Sequence, residues 1–279
     1  MEKIDRLGWA AGMTFVAYGV RIGIRVNDPG LLDRLPGLFP YGWRPDASPV
    51  VDRLYSLLVG GGGPRPHVRR FNLLYAGVSR LARSMDLEAV LSRLEADLQL
   101  SVAEAARRRV FVHAGVVGWK DRAILIPGMS HSGKTTLVDM LIRAGATYYS
   151  DEYAVLDSRG RVHPYPRALG MRSPDTIASK KVRAEEIGAE VGTKPLRVGL
   201  VVSTNFKDGA RWRPRSLSRG KGVLELMANT VSARSQPELA LTVLPRALAS
   251  AQILKGVRGE ANEIVDSILE RVSQSVPPA

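Results

Sequence analysis

The sequence predicts an α/β protein of two domains, an α+β part over residues 1–105 and a larger α/β part over 106–279. Three observations predict it. Short apolar alternations with a two-residue period fill much of the first part. One long pattern with three- and four-residue spacing then leads out of it, and apolar runs alternate with amphipathic helical patterns afterwards. Within the second part, "LIPGMSHSGKTTL" (Leu125 to Leu137) joins an apolar run to such a helical pattern through a glycine-bounded loop.

Composition narrows the class. With 279 residues and 45% hydrophobic content, the chain can bury one large core or a core with a smaller satellite. It has no cysteine, which excludes a disulfide framework and any thiolate metal site. No apolar run reaches the roughly 18 residues that a membrane helix needs. The N-terminal "MEKIDRLGWAAGMTFVAYG" carries acids and lacks the continuous apolar centre of a signal peptide, so a cytoplasmic protein is expected. The net charge of +13 suits an anionic partner without choosing among nucleotide, nucleic acid, acidic peptide and membrane surface.

In chain order, Val20, Ile22, Ile24 and Val26 alternate as in a half-buried strand. Pro29, Pro36, Pro40 and Pro45 then leave room for at most one short helix. "VVDRLYSLLV" and "RFNLLYAGVSRLA" flank "GGGGPRP" (Gly60 to Pro66), a linker or hairpin tip without phosphate-loop spacing. Leu87, Val90, Leu91, Leu94 and Leu98 mark a long helix, whose closing "ARRR" suits the negative end of the helix dipole. "VFVHAGVVGW" and "AILIPG", split by "KDR", give strand, tight turn, strand. A helix follows from Lys134, stopped at Gly145. "ATYYSDEYAVLDSRGRVHPYP" is a strand or hairpin turning at Ser158 to Gly160, and "LRVGLVVSTNF" is a further strand. "SRGKGVLELMANTV" and "SQPELALTVL" are helical, the second with a Ser235–Glu238 capping box and Pro237 in its first turn. "AQILKGV" and "GEANEIVDSILERV" close the chain as strand and amphipathic helix.

Gly128, Gly133, Lys134 and Thr135 match G-x-x-x-x-G-K-[ST]. Over Gly128, Met129, Ser130, His131, Ser132, Gly133, Lys134, Thr135 and Thr136, consecutive backbone amides are expected to curl round phosphate. Glycine is needed where the chain passes close or takes positive φ. The helix start adds donors and partial positive charge. Lys134 is expected to reach the β- and γ-phosphates of ATP and Thr135 to ligate Mg²⁺, while His131 faces solvent or nucleotide. A metal-side carboxylate is then required, and Asp151 and Glu152 follow one helix and a return strand later. Adjacent acids in a strand point to opposite faces, so one can serve the metal and the other a substrate hydroxyl. Either could be the base. His113 sits inside an apolar run just before the loop strand, as a structural histidine or a functional one.

Over residues 110–157 the order of histidine-bearing strand, turn, phosphate loop, helix and adjacent acids resembles the catalytic domain of HPr kinase/phosphorylase and its relatives. That domain is similar to the mixed-sheet domain of phosphoenolpyruvate carboxykinase. The resemblance implies His113 near the transferred phosphate, Asp151 as base toward a serine hydroxyl, and Glu152 with Thr135 on Mg²⁺. It implies an ATP- and Mg²⁺-dependent kinase acting on a protein or peptide, since relatives also accompany ribosomal peptides such as lasso peptides. The chain departs from the family in carrying Asp-Glu where two aspartates are usual, and in lacking a Glu-x-Arg-Gly signature. Arg167 and Arg172 are the nearest candidates for phosphate contact. The rival class is a nucleotide-binding switch or nucleic-acid-linked NTPase, which the cationic "RWRPRSLSRGKG" (Arg211 to Gly222) would suit, though a solvated lid is favoured there. A homo-oligomer is compatible with either.

Overall fold

The computed structural model describes residues 3–60, 70–129, 132–172 and 179–274. The chain divides into two compact units, Met1–Arg107 and Arg108–Ala279, and is of mixed α/β type with two mixed sheets.

In the first unit, β1 (Ala11–Ala17) and β2 (Val20–Val26) make a hairpin turned by Tyr18 and Gly19, both at positive φ, as a two-residue turn between right-twisted strands requires. With β3 (Arg44–Asp46), β4 (Arg53–Leu58), β5 (Asn72–Ala76) and β6 (Ser79–Ser84) they form a sheet of order β3-β1-β2-β4-β5-β6, in which only β2 and β4 run parallel. The alternating Val20, Ile22, Ile24 and Val26 are buried together, as their spacing predicts. Against them pack the short 3-10 helix Pro29–Leu38 and α1 (Leu87–Ala105), the latter capped by Asp86, which accepts from the Glu88 amide. The buried Tyr55 hydroxyl donates to Asp97 at 2.6 Å, fixing β4 to α1. The arginines of "ARRR" do not lie on the last turn of this helix. It ends at Ala105, and Arg108 takes a left-handed φ of 65°, which breaks the helical path. Residues 61–69 of the glycine-rich connection lie outside the described residues.

The second unit opens with β7 (Val110–Trp119) and β8 (Arg122–Pro127), turned by Lys120 and Asp121 at φ 46° and 57°. There follow α2 (Lys134–Arg143), β9 (Thr147–Ser150), β10 (Tyr153–Leu156) and β11 (Arg161–His163). The pair β12 (Leu169–Arg172) and β13 (Ser179–Val182) stands apart as a small antiparallel ribbon. Then come β14 (Leu196–Phe206), β15 (Arg215–Ser216), α3 (Arg219–Ala228), α4 (Pro237–Ala247), β16 (Gln252–Arg258) and α5 (Val265–Gln274). The main sheet has the order β11-β10-β7-β8-β14-β16-β15, with β9 on β7 beside β10.

Three strands, β8, β14 and β16, are mutually parallel, so their C-terminal ends share one edge. Alternation along them separates two cores. Ile124, Ile126, Leu200, Val202 and Leu254 face α2 and α5, whereas Leu125, Val201 and Ile253 face α3 and α4. The helices are thus held on both faces of one sheet, the arrangement that places ligand sites at the strands' C-terminal edge.

Two local expectations are corrected. The Ser235–Glu238 capping box does not form: a turn bond from the Gln236 amide to Ser232 O makes Gln236 the cap, and the Ser235 hydroxyl donates to Ser232 O instead. Pro237 does occupy the first turn of α4. Second, Asp151 and Glu152 lie in a bend between β9 and β10, not within a strand.

Close approach of α2 to β7 depends on Gly115, where an added Cβ would sit 2.6 Å from Val138 Cγ2. Because the valine is stiff and buried, Gly115→Ala is expected to cost about 1–3 kcal/mol in denaturant unfolding; an unchanged midpoint would contradict this packing.

Candidate functional site

The loop begins where β8 runs out. Pro127 still pairs with Ala114, and the Gly128 amide makes a last bond, at 3.3 Å, to His113 O. Beyond that point the segment around Asn229 replaces β8 beside β7: the His113 amide donates to Asn229 O at 2.7 Å, and the Val231 amide to Phe111 O at 2.9 Å. The strand therefore loses no partner when the loop leaves the sheet.

Gly133, at φ 83°, occupies the N-cap of α2, and its carbonyl accepts from the Leu137 amide at 3.2 Å. Gly128 is required by proximity, since a Cβ there would lie 2.7 Å from Ser132 Oγ. The Lys134 side chain is buried and turns back over the loop, donating to Gly128 O at 2.7 Å and Met129 O at 2.8 Å. Burial depresses its affinity for a proton, while Glu152 and Asp151 oppose that shift through space. Thr135 is half-buried at the second helical position, Thr136 is exposed, and Met129 stands out in solvent. Ser130 and His131 lie outside the described residues.

On the opposite edge of β7 the chain is a strand with an interruption. Ser150 pairs with Val116 and Tyr153 with His113, so Asp151 and Glu152 form a bend between two ladder segments that keep one register, and the register shift lies just before them, where Tyr149 is the extra residue between Tyr148 and Ser150. The Ala114 amide bonds Glu152 O at 3.1 Å, and the Ser150 hydroxyl accepts from the amides of Glu152 and Tyr153.

The two carboxylates have different surroundings. Asp151 is buried, and Tyr148 Oη donates to its Oδ1 at 3.2 Å. Burial first, then the neighbouring Glu152 charge, raises the proton affinity of Asp151, against the pull of Arg167 and the tyrosine. Glu152 is more open, with Oε1 at 3.3 Å from His113 Nε2. Its burial acts upward, but the His113 hydrogen bond and charge, with Arg167 and Lys134, hold it below the ordinary carboxylate range. The site residues His113, Lys134, Asp151, Glu152 and Arg167 thus gather around one position. The backbone of Arg172 ends β12, on the ribbon that starts two residues after Arg167.

Several participants escape the sequence patterns. Tyr148 ties the bend to the chain ahead of β12, its one hydroxyl proton lying between Asp151 Oδ1 and Arg167 O, the latter at 2.9 Å. Asn229 closes the gap beside β7. Arg258 reaches from the end of β16 to the loop, donating to Gly133 O at 2.9 Å. Only the glycine that follows Arg258 hints that its strand ends at a crowded place.

The residues fit a nucleotide and a hard divalent cation. Ser132 Oγ, beside Gly128, is buried without a partner among the described residues, and the donor set of a threonine hydroxyl and carboxylates is oxygen-only, as Mg²⁺ prefers. Among the described residues no group of three histidine, cysteine or acidic side chains could hold a metal ion. No described helix is long and apolar enough to cross a membrane.

Sign follows for stability. A carboxyl whose folded proton affinity is raised contributes stability at low pH that is lost as pH rises through its folded pKa. Asp151→Asn is therefore expected to raise the denaturation midpoint at pH 7, with the gain shrinking as pH falls toward the ordinary aspartate value of about 3.9. A midpoint lowered at pH 7 would contradict the electrostatics described for this carboxyl.

No family model matches the chain, and no curated protein matches it. Among solved structures, the Hpr(Ser) kinase/phosphatase from Coxiella burnetii is similar, with 15% identity over 59% of this chain and 95% of that one, at a TM-score of 0.32. A similarity of this depth assigns the chain to no family.

Proposed function

We propose that residues 106–279 form a nucleotide-dependent phosphotransferase of the HPr-kinase-related type. Its mixed sheet would be of the phosphoenolpyruvate-carboxykinase-like kind, and it would move the γ-phosphoryl group of ATP to a hydroxyl of a protein or peptide. Residues 1–105 would serve as a separate accessory domain. The observation that carries this is the convergence on one short stretch of β7: the loop's first glycine is tied to His113, and the acid pair to Ala114 and His113.

In this scheme the Lys134 amide and its neighbours receive the phosphates at the positive end of α2, and the Lys134 ammonium exchanges loop carbonyls for phosphate oxygens. Thr135 and Glu152 would hold Mg²⁺, which supplies charge neutralisation on the phosphates when bound. His113 holds Glu152 ionised and oriented for that duty. Asp151, with its raised proton affinity, is the better suited to take the proton of an incoming hydroxyl, and Tyr148 sets its rotamer. Arg167 would stabilise phosphate charge. A serine is the proposed acceptor, and a ribosomally made precursor peptide of the lasso type is the first to try.

The rival is a nucleotide switch or nucleic-acid-linked NTPase. One observation favours it: Arg211, Arg213, Arg215 and Lys221 are exposed along the segment that leads through β15 into α3. Salt-sensitive RNA or DNA binding that stimulates hydrolysis, with no labelled acceptor, would select it.

With γ-labelled ATP and candidate serine peptides, transfer is expected for wild type. Lys134→Ala should lower it by about 10³-fold, and Asp151→Asn by about 10²–10⁴-fold. Glu152→Gln should chiefly raise the Mg²⁺ concentration for half-maximal rate. Wild-type rates from Lys134→Ala would sink the site assignment, and a larger Mg²⁺ effect from Asp151→Asn would exchange the two acids' roles.

A further inference from the structure

Arg258, the last residue of β16, is only 2% exposed. Its Nη2 donates to Gly133 O and its Nη1 to Gly259 O, each at 2.9 Å, and Nε is buried without a partner. Among the described residues no carboxylate lies within ion-pair distance of it, and Glu260 attracts it only through space. The Phe206 ring, beside it in register at the end of β14, covers the guanidinium with a centroid distance of 5.7 Å. Thr204, on the same face of β14, has a second buried hydroxyl without a partner.

A buried cation with no anion beside it is costly, by several kcal/mol in typical proteins. What the arginine holds suggests why it is kept. Gly133 O already accepts the first bond of α2, and the arginine adds a second donor to the same oxygen. Because the peptide unit is planar and trans, an oxygen pinned on one side directs the Lys134 N–H to the other, into the loop. The positive charge also lies directly behind that amide, where a low dielectric keeps it effective. Gly133 is needed for this contact, since a Cβ there would come within 2.4 Å of Nη2.

We propose that Arg258 is a positioning residue of the phosphate loop: it locks the Gly133–Lys134 peptide so that the Lys134 amide faces phosphate, and its charge is completed by the bound polyphosphate. This rests on the nucleotide reading and deepens it, by making affinity depend on the phosphate chain through a residue outside the motif.

The test uses the full chain, with Mg·ATP and Mg·tripolyphosphate as separate calorimetric titrants against wild type, Lys134→Ala, Arg258→Met and Arg258→Lys. Arg258→Met is expected to bind both titrants at least ten-fold more weakly at an unchanged fold, and Arg258→Lys to recover part of the loss by keeping the charge and one carbonyl contact. Wild-type affinity in Arg258→Met overturns the inference. So does a loss for Mg·ATP that tripolyphosphate does not share, because the effect would then lie at the nucleoside. If wild type binds neither titrant, the nucleotide reading itself fails; if only Lys134→Ala loses binding, the arginine's role alone fails. Should Arg258→Met not fold, the Nε–H resonance of Arg258 in wild type takes its place. It is expected to shift with Mg·ATP and not with adenosine, and no shift with Mg·ATP overturns the proposal.

Discussion

In the second unit the glycine-bounded loop and the acid pair meet at two adjacent residues of β7, which are gripped from both sides. His113 bonds through its backbone to Gly128 and Asn229 on one side, and Ala114 bonds to Glu152 on the other. Backbone direction alternates along a strand, so neighbouring residues must bond to opposite neighbours. That alternation ties the start of the glycine-bounded loop and the acid pair to a shared rigid support one residue apart. Side chains then complete what the ladder begins, His113 reaching Glu152 over the same strand.

The chemistry is concentrated where the fold departs from regularity. The loop needs Gly133 in a left-handed conformation, and the acids need a break between β9 and β10. Buried Lys134 and Asp151 act on each other through space, and Arg258 is buried at the C-terminal end of β16. A site assembled only for stability would pair or remove such charges. Here burial raises the proton affinity of Asp151, the direction that suits the proposed base, and lowers that of Lys134, a shift that the neighbouring carboxylates oppose.

Much of this was legible in the sequence because it depends on local spacing. The loop, the start of α2 at Lys134 and its stop at Gly145 follow from glycine and apolar periodicity, and so does the Lys120–Asp121 turn. The capping box at Ser235 failed because a tertiary turn through Ser232 competed for the same residues. The acid pair was recognisable by type and distance, but its placement was not. Alternation assumes an unbroken strand, and only the structure reveals the bend between β9 and β10. Tyr148 stands only three residues before Asp151, but its bonds carry no local mark. Arg258 and Asn229 come from distant stretches, and an arginine closing a short strand carries no local mark of being buried. Their contributions exist only once β16 and α3 have folded around the loop.

The central claim is that loop and acids act as one phosphate site supported by β7. Amide hydrogen exchange of the wild-type chain with and without Mg·ATP tests it most directly, since binding slows local opening wherever the ligand is held. Protection should appear together over residues 128–136 and 148–153, at the same nucleotide concentration. Protection of the first segment without the second, or of neither, would contradict it.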